Sequence, residues 1–210
     1  MAKRTGINFS YTERPRARIW KEMQDGHLAI TMTGLPTPER EKFAWFYTYA
    51  NQRNHAILLK SEANKYSSFE DFANDKEARM AVVRGFKHGD YYDNIIQKMR
   101  KTQRVDEVAE METLFLMLKK GKRIDMILSS PFFFINNMKR FDLENDVVIK
   151  DWDKNPHPNP ACIVLSKKLV SEEDRRLIQK TLAEMRKDGT LKKILMKYVP
   201  EKVAQASLVD

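Results

Sequence analysis

Two stretches of this chain repeat one plan: RIWKEMQDGHLAITMT at residues 18–33 and LFLMLKKGKRIDMILSS at residues 114–130. Each reads as an apolar helix stopped by a glycine, Gly26 or Gly121, followed by a short basic or imidazole turn and a strand. The strands finish on hydroxyl residues, Thr31 and Thr33 in the first and Ser129 and Ser130 in the second. The carboxyl end of a strand, beside the start of the next helix, is where open α/β sheets receive ligands. Two such units point to two lobes that each offer hydroxyls to a shared crevice.

Outward from these anchors the pattern alternates strand and helix. Residues 7–11 alternate apolar and polar as a short half-buried strand does, and Pro15 suits the first turn of a helix over 16–24 with Ile19, Trp20 and Met23 on one stripe. A strand at 28–32 leads into Gly34-Leu35-Pro36-Thr37-Pro38, where Thr37 is placed to cap a single helical turn over 38–42, before an aromatic segment at 43–49. Further strands are expected at 55–60, 80–83, 104–108, 124–128, 147–149 and 162–165. Helices are expected at 91–101, 110–120, 131–138, 172–187 and 191–198, with a short one begun by Ser67 or Ser68. Strands separated by helices predict an α/β fold with a mainly parallel sheet.

The 210 residues are 42% hydrophobic and 32% charged, enough apolar content for one large or two small compact units. No run reaches the length of a bilayer-spanning helix. The opening MAKRTGINFSY carries Lys3 and Arg4 but no apolar segment of the signal-peptide kind. A lone cysteine, Cys162, excludes an internal disulfide and offers no thiolate metal cluster, and its place at the start of a strand predicts burial. The net charge of +9 is spread along the chain, at Arg14, Arg16, Arg18, 98–101, 119–123, Lys192 and Lys193. Most of these cations are interleaved with acids, the pattern of solvated faces rather than of a nucleic-acid footprint.

Catalytic signatures are thin. His27, His55, His88 and His157 share no metal-ligand spacing, no GxSxG elbow is present, and no carboxylate pair assigns a general acid and base. No metal or cofactor is expected, and an enzyme is the weaker class, with Glu13 and His88 as its candidates. Asp125 reads as a cap or as an ion-pair partner of Lys122 or Arg123. VVRGFKHGD at residues 82–90 matches no phosphate-loop pattern, yet backbone N–H groups at the start of the following helix suit a carboxylate or another anion. Arg40, in TPEREK, is either a surface charge beside two acids or a guanidinium delivered just past a strand end to hold a carboxylate bidentately.

As an ordered set, GHLAIT…TPEREKFAWF, SFEDF, AVVRGF with HGDYY, AEMETLFLMLKKGKRIDMILSSP, IVLSKK and LAEMRKDGTLKKILMKY resemble the family-3 periplasmic solute-binding proteins. That family serves polar amino-acid ABC transporters and includes periplasmic sensor domains. The pieces span nearly all of residues 26–198. The resemblance implies an α/β fold of the periplasmic-binding-protein-like type II, two lobes with mainly parallel sheets joined by crossover strands. Residues 1–52 and 171–210 would form lobe one, and residues 53–170 lobe two. It also implies a periplasmic protein that captures a small polar, carboxylate-bearing solute for uptake through an ABC permease or for signalling through a membrane sensor, with no bond chemistry.

Carried over residue by residue, the family's threonine-rich strand end falls on Thr33, its carboxylate-gripping arginine on Arg40, and its anion-contacting loop on Arg84, Gly85, Phe86, Lys87 and His88. Tyr49 or Trp45 is the expected stacking wall. The chain departs from the pattern at three places. The aspartate that receives an amino acid's ammonium is replaced by Ser130, beside Ser129, and a hydroxyl cannot neutralise an ammonium. Phe86 and Lys87 stand where small hydroxyl residues are usual, so that Arg40, Arg84 and Lys87 favour an anionic solute. Finally, the first strand and helix of lobe one and the signal peptide have no counterpart before residue 7, so lobe one is expected to be incomplete, with a homo-oligomer as one way to fill the gap. The alternatives are an enzyme on a similar bilobed scaffold and a basic interaction module; nucleic acid is not an expected partner.

Overall fold

In the computed structural model, which describes residues 1–153, 155 and 157–209, the chain separates into one unit made of Met1–Gln52 with the segment from Asn159 onward, and a second unit, Arg53–Pro158. The first unit begins with α1 (Ala2–Thr5), α2 (Arg16–Asp25), β1 (Ile30–Gly34), α3 (Pro38–Glu41) and β2 (Ala44–Gln52). The second unit runs through β3 (His55–Leu59), α4 (Phe69–Asn74), β4 (Met80–Val83), α5 (Asp90–Lys101), β5 (Val105–Val108), α6 (Met111–Lys120), β6 (Met126–Ser129), α7 (Pro131–Arg140) and β7 (Val147–Lys150). The chain then returns to the first unit with β8 (Asn159–Ser166), α8 (Glu172–Lys187), α9 (Thr190–Leu195) and α10 (Glu201–Ala206).

Unit one is built around β8, which lies between β1 and β2 and pairs antiparallel with both. Its side chains alternate between two apolar layers, as the pleat of a strand requires. Ile163 and Leu165 pack with Ile178, Leu182 and Met185 of α8, while Cys162 and Val164 pack with Trp20 and Met23 of α2. Helix α8 is started by Ser171, whose hydroxyl accepts from Asp174 N at 3.0 Å, with Glu172, Glu173 and Asp174 in the first turn where the helix dipole favours them.

Unit two is a five-stranded sheet in the order β5-β4-β6-β3-β7. Alternate residues of the central strands feed opposite faces. Ala56, Leu58, Met80, Val82, Met126 and Leu128 pack under α4 and α5, with Phe69, Phe72, Tyr92 and Met99. Ile57, Ala81, Val83 and Ile127 pack under α6 and α7, with Leu114, Phe115, Leu118 and Phe134. Burial on both faces explains why MAVV and the first three residues of MILS read as unbroken apolar runs.

Several expectations need correction. Among the described residues only β4 with β5 and β4 with β6 are parallel; the remaining pairs are antiparallel, so the sheets are mixed rather than mainly parallel. Residues 7–11 keep their alternation of burial, with Ile7 and Phe9 half-buried, but join no ladder; Ile7 instead packs against the Ile163 layer. The second lobe, expected to reach residue 170, ends as a compact unit at Pro158, because β8 completes the sheet of unit one. Asp125 pairs with neither Lys122 nor Arg123: its carboxylate accepts from Arg79 N at 2.8 Å, and Arg123 meets Asp106 at 2.6 Å.

Candidate functional site

In unit one, the approach to Arg40 begins at the end of α2. Gly26, with φ 85°, adopts the left-handed conformation that closes the helix and turns the chain towards β1. Strand β1 is irregular between Thr31 and Gly34, and Thr33 there takes φ 56°. Gly34 lies so close to β8 that a Cβ would come within 2.2 Å of Val164 Cγ2. After Leu35 and Pro36, Thr37 caps α3, its hydroxyl accepting from Arg40 N at 3.3 Å, and Pro38 opens the turn.

That capped turn carries Arg40 inward. Its side chain is buried, Nη1 donates to Leu35 O at 2.9 Å, and the guanidinium lies 3.7 Å from the centre of the Trp20 ring. A second guanidinium, Arg16, stands 5.2 Å from the same ring and donates to Met32 O at 3.2 Å and Thr33 O at 2.5 Å. Burial lowers the Arg16 pKa to about 10, with the neighbouring Tyr49 phenol acting in the opposite sense, so Arg16 stays protonated at neutral pH. Burial pushes the Tyr49 phenol up, which keeps it neutral. Two cations on one indole, each anchored by a backbone carbonyl, make this corner of unit one electropositive. Thr31 is half-buried opposite Val164, and the Thr33 hydroxyl donates to Met32 O at 2.7 Å. Trp45, the other candidate wall, has Arg175 5.1 Å from its ring centre.

In unit two the loop after β4 is braced from within. Gly85 has φ 79°, and Phe86 packs against His88 at 5.0 Å and Phe133 at 6.2 Å. His88 is buried; its N–H donates to Asp93 Oδ1 at 3.1 Å and its carbonyl accepts from Asn54 Nδ2 at 3.1 Å. Burial, then the charges of Arg100 and Lys87, bring the His88 pKa down to about 3, so the imidazole is neutral at physiological pH. Lys87 Nζ sits 3.7 Å from Asp93, and Arg84, mostly exposed, turns to Glu107 at 3.3 Å. Ser129 and Ser130 are both buried where β6 meets α7, with Ser130 at the N-cap position.

Unit one thus gathers Thr33, Arg40 and Tyr49 around one arginine–tryptophan cluster, and unit two gathers Phe86, His88, Ser129 and Ser130 near the ends of β4 and β6. Arg84 is drawn away to β5. Sequence reasoning passed over Arg16, Trp20, Asn54 and Asp93 as site components. Arg16 looked like one more surface cation, and only its position directly after Pro15, at a helix start, set it apart.

The fold that these units build is that of the type II periplasmic binding proteins. The crystal structure of a histidine kinase sensor domain with similarity to periplasmic binding proteins aligns at 11% identity and TM-score 0.76, covering 100% of this chain and 83% of the other. An ancestral arginine-binding protein bound to arginine aligns at 22% identity and TM-score 0.75, covering 94% and 83%. A structure from work on glutathione import via GshT and the cystine ABC importer TcyBC of Streptococcus mutans aligns at 16% identity and TM-score 0.74, covering 97% and 81%. No curated protein matches the chain in sequence. The profile of the bacterial extracellular solute-binding proteins, family 3, matches residues 1–201, and the chain belongs to that family.

Proposed function

We propose that this protein captures a small, polar, carboxylate-bearing solute outside the cytoplasm and presents it to an ABC permease or a membrane sensor, without making or breaking bonds. The observation that carries the reading is the Arg40 guanidinium, brought inside unit one by a capped turn and laid over Trp20 with Leu35 O as its anchor. A guanidinium held in place beforehand loses little freedom on taking a carboxylate, and its planar fork matches the two oxygens. Family membership supports binding as the activity. Arginine, the solute of one structural neighbour, carries such a carboxylate, and the sensor-domain neighbour supports signalling beside uptake. The enzymatic alternative finds little support in its two candidates, since Glu13 is exposed and His88 is buried and neutral.

Titration calorimetry against a panel of organic acids and amino acids tests the proposal. At least one acid is expected to bind, with Arg40→Ala weakening it by about 2–5 kcal/mol, the order seen when one partner of a desolvated charge pair is removed. Arg40→Lys, which keeps the charge and loses the fork, is expected to fall between. A folded protein that binds none of the panel, or an Arg40→Ala variant with unchanged affinity, refutes the reading.

A further inference from the structure

The end of β6 in unit two holds a pair of polar atoms that the fold does not use. Ser129 and His55 face each other as register partners of the antiparallel β6–β3 pair. Ser129 is 1% exposed and its Oγ has no hydrogen-bond partner among the described residues; the same holds for the buried Nδ1 of His55. Partnered residues point to the same face of a sheet, and here that face also carries Ile57 and Ile127, which pack with Phe134. The His55 ring meets Phe134 edge-on at 5.7 Å, so both polar atoms lie on the side of the first turn of α7. This ten-residue helix starts at Pro131, directly after Ser129 and Ser130, and its positive end favours negative charge. Unsatisfied buried polar atoms each carry a desolvation cost unless something bonds to them.

We infer that Ser129, His55 and the amino end of α7 form a carboxylate subsite in unit two. Ser129 Oγ and, in its Nδ1–H tautomer, His55 are donors, and a carboxylate oxygen is the acceptor that satisfies both. Phe86 of the neighbouring loop touches Phe133 of the same helical turn. The nearby carboxylate, Asp93, is engaged by His88 N and Lys87. The inference rests on the solute-binding reading above and favours acids over solutes that need an ammonium partner at position 130.

Calorimetry with succinate, 2-oxoglutarate and L-arginine on the full chain tests it, using Ser129→Ala and His55→Phe, which keeps a ring against Phe134. A diacid is expected to bind more tightly than arginine, and each variant to weaken it about 10- to 100-fold, the loss of a hydrogen bond to a charged group. Because Ser129 Oγ lacks an internal partner, Ser129→Ala alone is expected to leave the melting temperature unchanged or raised. A diacid that depends on Arg40 but is bound within twofold by both variants overturns the subsite and leaves the solute-binding reading standing, as does tighter binding of arginine. A wild-type protein that binds none of the panel overturns both. A fall of several degrees in Ser129→Ala reveals an internal partner and overturns the subsite by itself.

Discussion

Gly34→Ala places a methyl group 2.2 Å from Val164 Cγ2 and 3.1 Å from Trp20 Cη2, where ordinary contacts begin at 3.4 Å. Strand β8 must therefore yield by more than an ångström, or Val164 must leave its rotamer. Neither is easy, because Val164 is fully buried and a β-branched side chain has little freedom at χ1. Overpacking of this kind costs about 1–3 kcal/mol. Val164→Ala alone removes two methyl groups from the layer with Trp20 and Met23, costing about 2 kcal/mol from lost transfer energy and the cavity left behind. In the double variant the new methyl group occupies space that Val164 has vacated, so the two losses should not add: a coupling of about 1–2 kcal/mol in the relieving direction is expected. Urea unfolding followed by tryptophan fluorescence gives the four stabilities, with Trp20 inside the perturbed layer. Gly34→Ala within 0.5 kcal/mol of wild type, or simple additivity in the cycle, would refute the close-approach argument. The effect reaches the site, because the next residue, Leu35, supplies the carbonyl that anchors Arg40.

Thr37→Ala removes the cap of α3 and should cost about 1 kcal/mol, as should Ser171→Ala at α8, but only the first should also weaken solute binding; equal binding by both variants counts against α3 as the positioner of Arg40. His88, at about 3 in the folded protein against an ordinary 6.5, takes its proton first in the unfolded chain, so it subtracts stability progressively as pH falls from 6.5 towards 3. His88→Gln should therefore show a shallower acid decline of melting temperature over that window, with Asn54, Asp93, Lys87 and Arg100 unchanged around it; an identical slope argues against a buried neutral imidazole. Cys162, buried and with its thiol pKa raised by burial, should resist iodoacetamide in the native protein and react on unfolding, and fast native labelling contradicts its place in the Val164 layer.

The features legible in the sequence are the local ones. Gly26 and Gly121 stop their helices because a left-handed residue is needed there, and Thr37 and Ser68 start theirs because a hydroxyl caps the free N–H groups. Strand direction was not legible: β4 and β6 run parallel, but β3 pairs antiparallel with β6 across a separation in sequence that no local pattern encodes. The alternation at 7–11 was real as burial and misleading as a strand, since a ladder needs a partner and alternation needs only a surface. Arg40 could be singled out because a turn with two prolines delivers it. Arg16 could not, since what distinguishes it is two carbonyls of β1 that lie sixteen and seventeen residues away.

In unit one, β1 and β2 do not pair with each other; both pair with β8. During synthesis the ribosome releases β1 and β2 first, then the whole of Arg53–Pro158, before the strand that joins them exists. Unit two is contiguous and can fold as it emerges, while two aromatic and threonine-bearing strands wait with open edges, the exposure that invites pairing with another chain. The order of translation thus makes the arginine–tryptophan corner one of the last parts to be secured, and places the period of greatest need for a holding chaperone between the emergence of Gln52 and that of Ser166.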